Sequence, residues 1–174
     1  MTDLPTEPNR ASAAADHRGR SNERRDVQRA IEHWHRNTWR TDCIPFLDTF
    51  DFSPMRGDWG YRFLICGGYT VENSVFVTYG PKFAHLLGLP VKALTSIPFV
   101  DQVPQPYRDM FVAGCGQVNL ESSPVILEGT FSLESILQLF RAVFMPILLQ
   151  PNWSKRLILG SFNCRAGGAR AFSE

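Results

Sequence analysis

Val27, Ile31 and Trp34 recur at steps of four and three residues, with charged side chains between them. That is the period of an amphipathic helix. Ser21 and Asn22 lie just upstream and are helix-capping residue types, so the pattern predicts a leading helix over 23–42 that ends near Thr41. Pro45 and Pro54 bracket a connector over 44–56. Two apolar runs with strand character follow, 61–66 and 74–79, closed by Gly67-Gly68 and Gly80-Pro81. Those dipeptides are turn punctuation. Residues 81–88 read as a short helix, with Pro81 in the first turn and Gly88 at the exit.

A longer helix fits 105–120, where Tyr107, Met110, Phe111, Cys115 and Val118 fall at helical steps. Gly114 and Gly116 weaken it intrinsically. Residues 124–129 predict a strand, and 156–162 predict a final one. The stretch 132–149 carries two patterns at once. Leu133, Ile136, Leu137, Phe140, Val143 and Phe144 suit a helix, yet a long strand would bury many of the same side chains. Both readings stay open on pattern alone. Residues 1–22 are rich in Pro, Ala, Ser, Asp and Arg without an apolar period, which predicts a disordered tail. Residues 166–174 read as a loose C-terminal end. Strands before the helices and strands after them make the class α+β, with a domain over 43–165 behind the leading helix.

Composition adds constraints. The chain has 174 residues, 44% of them apolar and 13 of them Phe, enough for one domain with its own core. Net charge is +1, and residues 1–40 mix eight Lys/Arg with six Asp/Glu, so no basic footprint for nucleic acid is present. Cys43, Cys66, Cys115 and Cys164 show neither zinc spacing nor disulfide density, which predicts reduced thiols. No secretory h-region is visible, and the longest apolar run, 142–149, is too short to span a bilayer and contains Pro146. These features predict a soluble cytoplasmic protein.

The segment Ser74 to Pro90, SVFVTYGPKFAHLLGLP, resembles the second strand and following helix of PAS domains. More widely, the chain is similar to a divergent PAS-like family known mainly from alphaproteobacteria. The matching pieces are Trp34, Ile44-Pro45, Phe50-Asp51, Tyr61-Arg62-Phe63, Tyr79-Gly80, Leu86-Leu87-Gly88, Glu128-Gly129, and Arg141 with Met145-Pro146-Ile147. They run in order from about 24 to 165. The resemblance implies a five-stranded antiparallel sheet with helices on one face, preceded by an amphipathic helix, and it places a fourth strand in 132–149. It implies a sensory or interaction role rather than a reaction.

In such a protein the leading helix packs on the sheet or pairs with its copy. Val27, Ile31 and Trp34 are therefore the expected dimer or partner contact. The expected function is a stand-alone regulatory module of bacterial signalling, a homodimer or the binder of a signalling partner, with no cofactor, no metal and no catalytic residue. One alternative is a sensor for a small apolar ligand, its pocket lined by Phe76, Phe83, Leu86, Leu87, Phe99, Phe111, Val125 and Phe144. Another is a small α+β isomerase or hydrolase.

Several residues invite chemistry. Asn163-Cys164-Arg165 resembles the motif of LOV domains, whose cysteine attacks a flavin ring from a helix in mid-domain. Here Cys164 follows the last predicted strand, and 93–102, where such a cysteine belongs, has none. The expectation is a small, partly buried residue at a strand end. His85 on the short helix is a haem ligand in principle, but a structural histidine is the plainer reading. His33, His35 and Cys43 form the one His/Cys cluster. Two residues apart on a helix, the histidines diverge, which predicts a solvated face. Asp48, Asp51, Glu121 and Glu128 sit in no catalytic motif.

Overall fold

The computed structural model describes residues 25–38, 43–133, 135–150 and 156–166. The proposed tail at 1–22, the cap at Ser21 or Asn22, and all of the proposed 166–174 tail except Ala166, which ends a strand, lie outside the described residues. Helix α1 occupies 25–36 and stops short of Thr41. Asn37 explains the early end: its Nδ2 donates to the His33 carbonyl at 2.9 Å, and its Oδ1 accepts the Asp51 amide at 2.8 Å. The side-chain amide thus takes the His33 carbonyl, which a continuing helix would offer to the Asn37 N–H, and ties the helix end to the connector.

The connector is more ordered than the predicted loop. Residues Ser53–Tyr61 form a 3₁₀ segment with Pro54 in its first turn and Met55 buried. Its entry is fixed by the Ser53 amide, which donates to Asp51 Oδ1 at 2.9 Å. Strands β1 (Arg62–Cys66) and β2 (Val75–Tyr79) follow, then α2 (Pro81–Leu87), α3 (Phe99–Gln102) and α4 (Arg108–Glu121). Strands β3 (Val125–Leu133), β4 (Ile136–Leu148) and β5 (Arg156–Ala166) complete the chain. They form one five-stranded sheet in the order β2-β1-β5-β4-β3, every pairing antiparallel. The class is α+β, as the element order implied.

Two strands run past their predicted ends. β3 continues through Gly129 to Leu133, and β5 continues through Phe162 to Ala166. The ambiguous stretch is the end of β3, a turn, and β4. Its helical look has a physical cause. Ala142 and Phe144 point into one apolar layer, while Val143, Met145 and Ile147 point into another. A strand buried on both faces reads as a continuous apolar run, without alternation.

Pro146 is tolerated because β3 has already ended: the last β3–β4 pair is Val125 with Phe144. No neighbour on that side calls for its missing N–H. Its carbonyl instead accepts the Trp34 indole N–H at 2.7 Å.

The two layers divide the molecule. Helices α2, α3 and α4 cover the inner face, over a core that includes Phe63, Phe76, Phe83, Phe111, Phe144 and Phe162. On the outer face, α1 and the connector cover Leu64, Val143, Met145, Ile147, Leu157 and Leu159.

Candidate functional site

The eight residues proposed to line a pocket come from six elements, and the fold brings them together on the inner face. Phe76, Phe83, Leu87, Phe99, Phe111, Val125 and Phe144 are all buried in one cluster, and Leu86 packs half-buried at its margin. The space among them holds side chains. Phe63 and Phe162, which sequence reasoning did not include, complete a set of seven fully buried phenylalanines. Phe63 stands 5.2 Å from both Phe83 and Phe111 and 5.4 Å from Phe144, between ring centroids. Phe76 lies 5.6 Å from Phe83 and 6.0 Å from Phe99. These are contact distances for tilted and edge-on rings.

The sheet is shaped for the rings. Gly160 sits opposite Phe63, and a Cβ there would lie 2.1 Å from Phe63 Cζ. Alternation along β1 and β5 is the signal that points Phe63 and Phe162 inward.

Polar groups at this core are few and neutral. Tyr79 donates its hydroxyl proton to the Pro90 carbonyl at 2.8 Å, and burial raises its pKa. Burial also pushes the Cys115 thiol, on α4, far above the ordinary thiol range, so it stays protonated and unreactive.

The outer face carries the residues expected to meet a partner. Val27 and Trp34 are buried against the chain's own sheet, and Ile31 packs half-buried beside them. The other end of α1 is held by charge. Asp26 accepts two bonds from the Arg62 guanidinium, 2.7 Å from Nη2 and 3.2 Å from Nη1. The Ser161 hydroxyl donates to the same carboxylate at 2.9 Å and Asn163 Nδ2 at 3.4 Å. Arg62 and Ser161 are cross-strand partners on β1 and β5. Asn163 pairs in turn with Arg141, and Arg141 with Glu128, to which it is ion-paired. A polar line thus crosses four strands of the outer face. A cleft of about 610 Å³ opens beside it, lined by Arg25, Arg29, Asp58, Lys82, Asn163 and Cys164 among others. Its charges have both signs.

No family model and no curated protein sequence matches the chain. Solved structures do. The PAS domain of Bordetella pertussis BvgS is similar at 13% identity and a TM-score of 0.46, over 69% of this chain and 88% of that one. A domain of an HTR-like protein from Haloarcula marismortui is similar at 7% identity and a TM-score of 0.36, over 58% of this chain and 96% of that one. A fungal LOV domain photoreceptor is similar at 12% identity and a TM-score of 0.36, over 65% of this chain and 78% of that one. The five-stranded antiparallel sheet, with its helical crossover between β2 and β3, is the α+β arrangement that the resemblance to PAS domains implied.

Within this domain the candidate chemical residues scatter. Cys164 does not follow the last strand, as expected, but lies inside β5 opposite Phe140. It is half-buried, with its Sγ 3.5 Å from Gln138 Oε1. A strand, not a mid-domain helix, carries this thiol. His85 is exposed in the last turn of α2.

His33 and His35 do diverge, but not into a shared solvated face. His33 is buried, edge-on to Phe50 at 5.3 Å, and its Nε2–H donates to the Asp51 carbonyl at 2.6 Å; His35 is exposed. Among the described residues no group of three or more His, Cys, Asp or Glu is placed to hold a metal ion.

The carboxylates have separate settings. Asp51 is held below its ordinary pKa chiefly by the Ser53 backbone bond, Glu121 accepts Gln117 Nε2 at 2.7 Å, Glu128 pairs with Arg141, and Asp48 is exposed. No helix among the described residues is long and apolar enough to cross a membrane.

Proposed function

We propose that the chain is a PAS-like regulatory module of bacterial signalling that works in the cytoplasm by protein–protein contact, as a homodimer or with a signalling partner. The observation that carries this reading is the ring-filled inner face. Seven phenylalanines occupy the volume that an apolar ligand would need. A core at native density yields such space only by displacing side chains. Signalling is then left to surfaces. Contact along α1 uses its exposed side, because Val27, Ile31 and Trp34 are turned toward the sheet and hold the helix in place.

The test compares thermal midpoints before and after ligand would be lost. The full chain is purified, then a portion is denatured, dialysed and refolded. A bound ligand stabilises the native state by mass action, so its loss lowers the midpoint. The contact reading predicts coincident midpoints. A refolded protein that melts several degrees lower, and recovers when an extract of the original sample is added, would overturn it in favour of ligand sensing.

A further inference from the structure

The two edges of the sheet differ. β2 has five residues, is bulged against β1, and is partly covered where Val75 bridges to Pro98 and the Phe99 amide donates to the Ser74 carbonyl at 2.8 Å. β3 has nine residues and, among the described residues, pairs only with β4. Its sequence, VILEGTFSL, contains no Lys, Arg or Pro, and its register with β4 runs unbroken from Val125 to Leu133. Natural sheets guard long free edges with charges, prolines, bulges or cover. This edge has one charge, Glu128, and Arg141 on β4 already neutralises it. The apolar side chains around it stay in water: Ile126 is 46% exposed, Leu133 37%, Ile136 51% and Leu137 48%.

We infer that the free edge of β3 pairs with β3 of a second copy, antiparallel about Gly129. This rests on the reading of the chain as a contact-based module, and it names the surface.

The strand is self-matching in one register. Val125, Leu127, Gly129, Phe131 and Leu133 share the inner face, while Ile126, Glu128, Thr130 and Ser132 share the outer one. Antiparallel partners must lie on the same face, so any shift by one residue mixes the two sets. Centring on Gly129 pairs all nine positions. Leu127 of one copy then faces Phe131 of the other, and Glu128 faces Thr130. Centring on Glu128 would set two carboxylates against each other. Centring on Thr130 would shorten the ladder and leave Val125 and Ile126 unpaired. A neutral edge offers nothing to select an acidic or basic peptide, and its own sequence completes it.

Sedimentation velocity of the full chain over a micromolar concentration series tests this, with Thr130→Glu and Thr130→Lys as variants. Thr130 is exposed, so both substitutions leave the fold intact by far-UV circular dichroism. The wild type is expected to dimerise. Thr130→Glu puts a carboxylate opposite Glu128 twice per dimer and weakens dimerisation by about tenfold, while Thr130→Lys places opposite charges there and does not weaken it. Hydrogen exchange gives the second readout: β3 amides become protected as concentration rises. A dimer equally tight in both variants overturns the edge pairing and leaves the dimeric reading standing. A monomer throughout overturns both. Protection of β3 that is independent of concentration means the chain's own residues cover the edge, and overturns the second copy as its occupant.

Discussion

Arg62 carries its charge into a place where only 2% of its surface reaches solvent. Such a charge is tolerated when paired and hydrogen-bonded. Asp26 supplies the pairing through two bonds, and Ser161 and Asn163 help orient the carboxylate. Removing one member of a buried pair costs more than the pair contributes, because the other charge is stranded. Asp26→Asn therefore destabilises the chain by about 2 kcal/mol in urea denaturation, somewhat under the full range for buried pairs because the Asp26 side chain is 21% exposed. An unchanged midpoint would mean that water replaces the carboxylate at no cost. This pair was not legible in the sequence. Asp26 reads as one more charge on a polar helix face, and its partner is 36 positions away. Arg62 was visible only as the polar second residue of an apolar run and as part of the Tyr61-Arg62-Phe63 match, with nothing to point to its partner.

Helix α4 shows how an element can violate its own propensity. Gly114 and Gly116 each disfavour a helix by about 1 kcal/mol relative to Ala. The structure separates their reasons. A Cβ on Gly114 would lie 2.3 Å from Phe144 Cε2, whereas a Cβ on Gly116 meets nothing within 4 Å. Gly114 lets α4 settle onto the Phe144 ring, and no packing contact of that kind constrains Gly116. Gly114→Ala is expected to destabilise by roughly 1–3 kcal/mol despite its better propensity, and Gly116→Ala to stabilise by up to about 1 kcal/mol. Thermal midpoints moving the same way in both variants would contradict this packing.

Elements with sharp ends were legible. Pro81 and Gly88 bound α2, and Gly67 and Gly80 follow β1 and β2. β4 was not legible in its own pattern, because burial on both faces erased its alternation, and only the resemblance placed a strand there; the far ends of β3 and β5 were masked by Gly129 and by the polar residues Asn163 and Arg165.

At the scale of the whole molecule, one sheet separates two apolar layers that hold different things. The inner layer is a packed set of aromatic rings under α2, α3 and α4. The outer layer is closed by α1, fixed at one end by Trp34 on the Pro146 carbonyl and at the other by Asp26 on Arg62. The sequence was informative about which residues are apolar and roughly where each element lies. Whether Phe76, Phe83 and Phe111 line a void or fill it depends on distances between rings from distant strands and helices, which no local pattern carries.

Native mass spectrometry of the freshly purified chain, with a denatured control, addresses this account most directly. A filled core and the β3 edge pairing predict a dimer whose mass is twice that of the denatured chain, with nothing added. A monomer, or any assembly carrying a stoichiometric small molecule that the denatured control lacks, would contradict it.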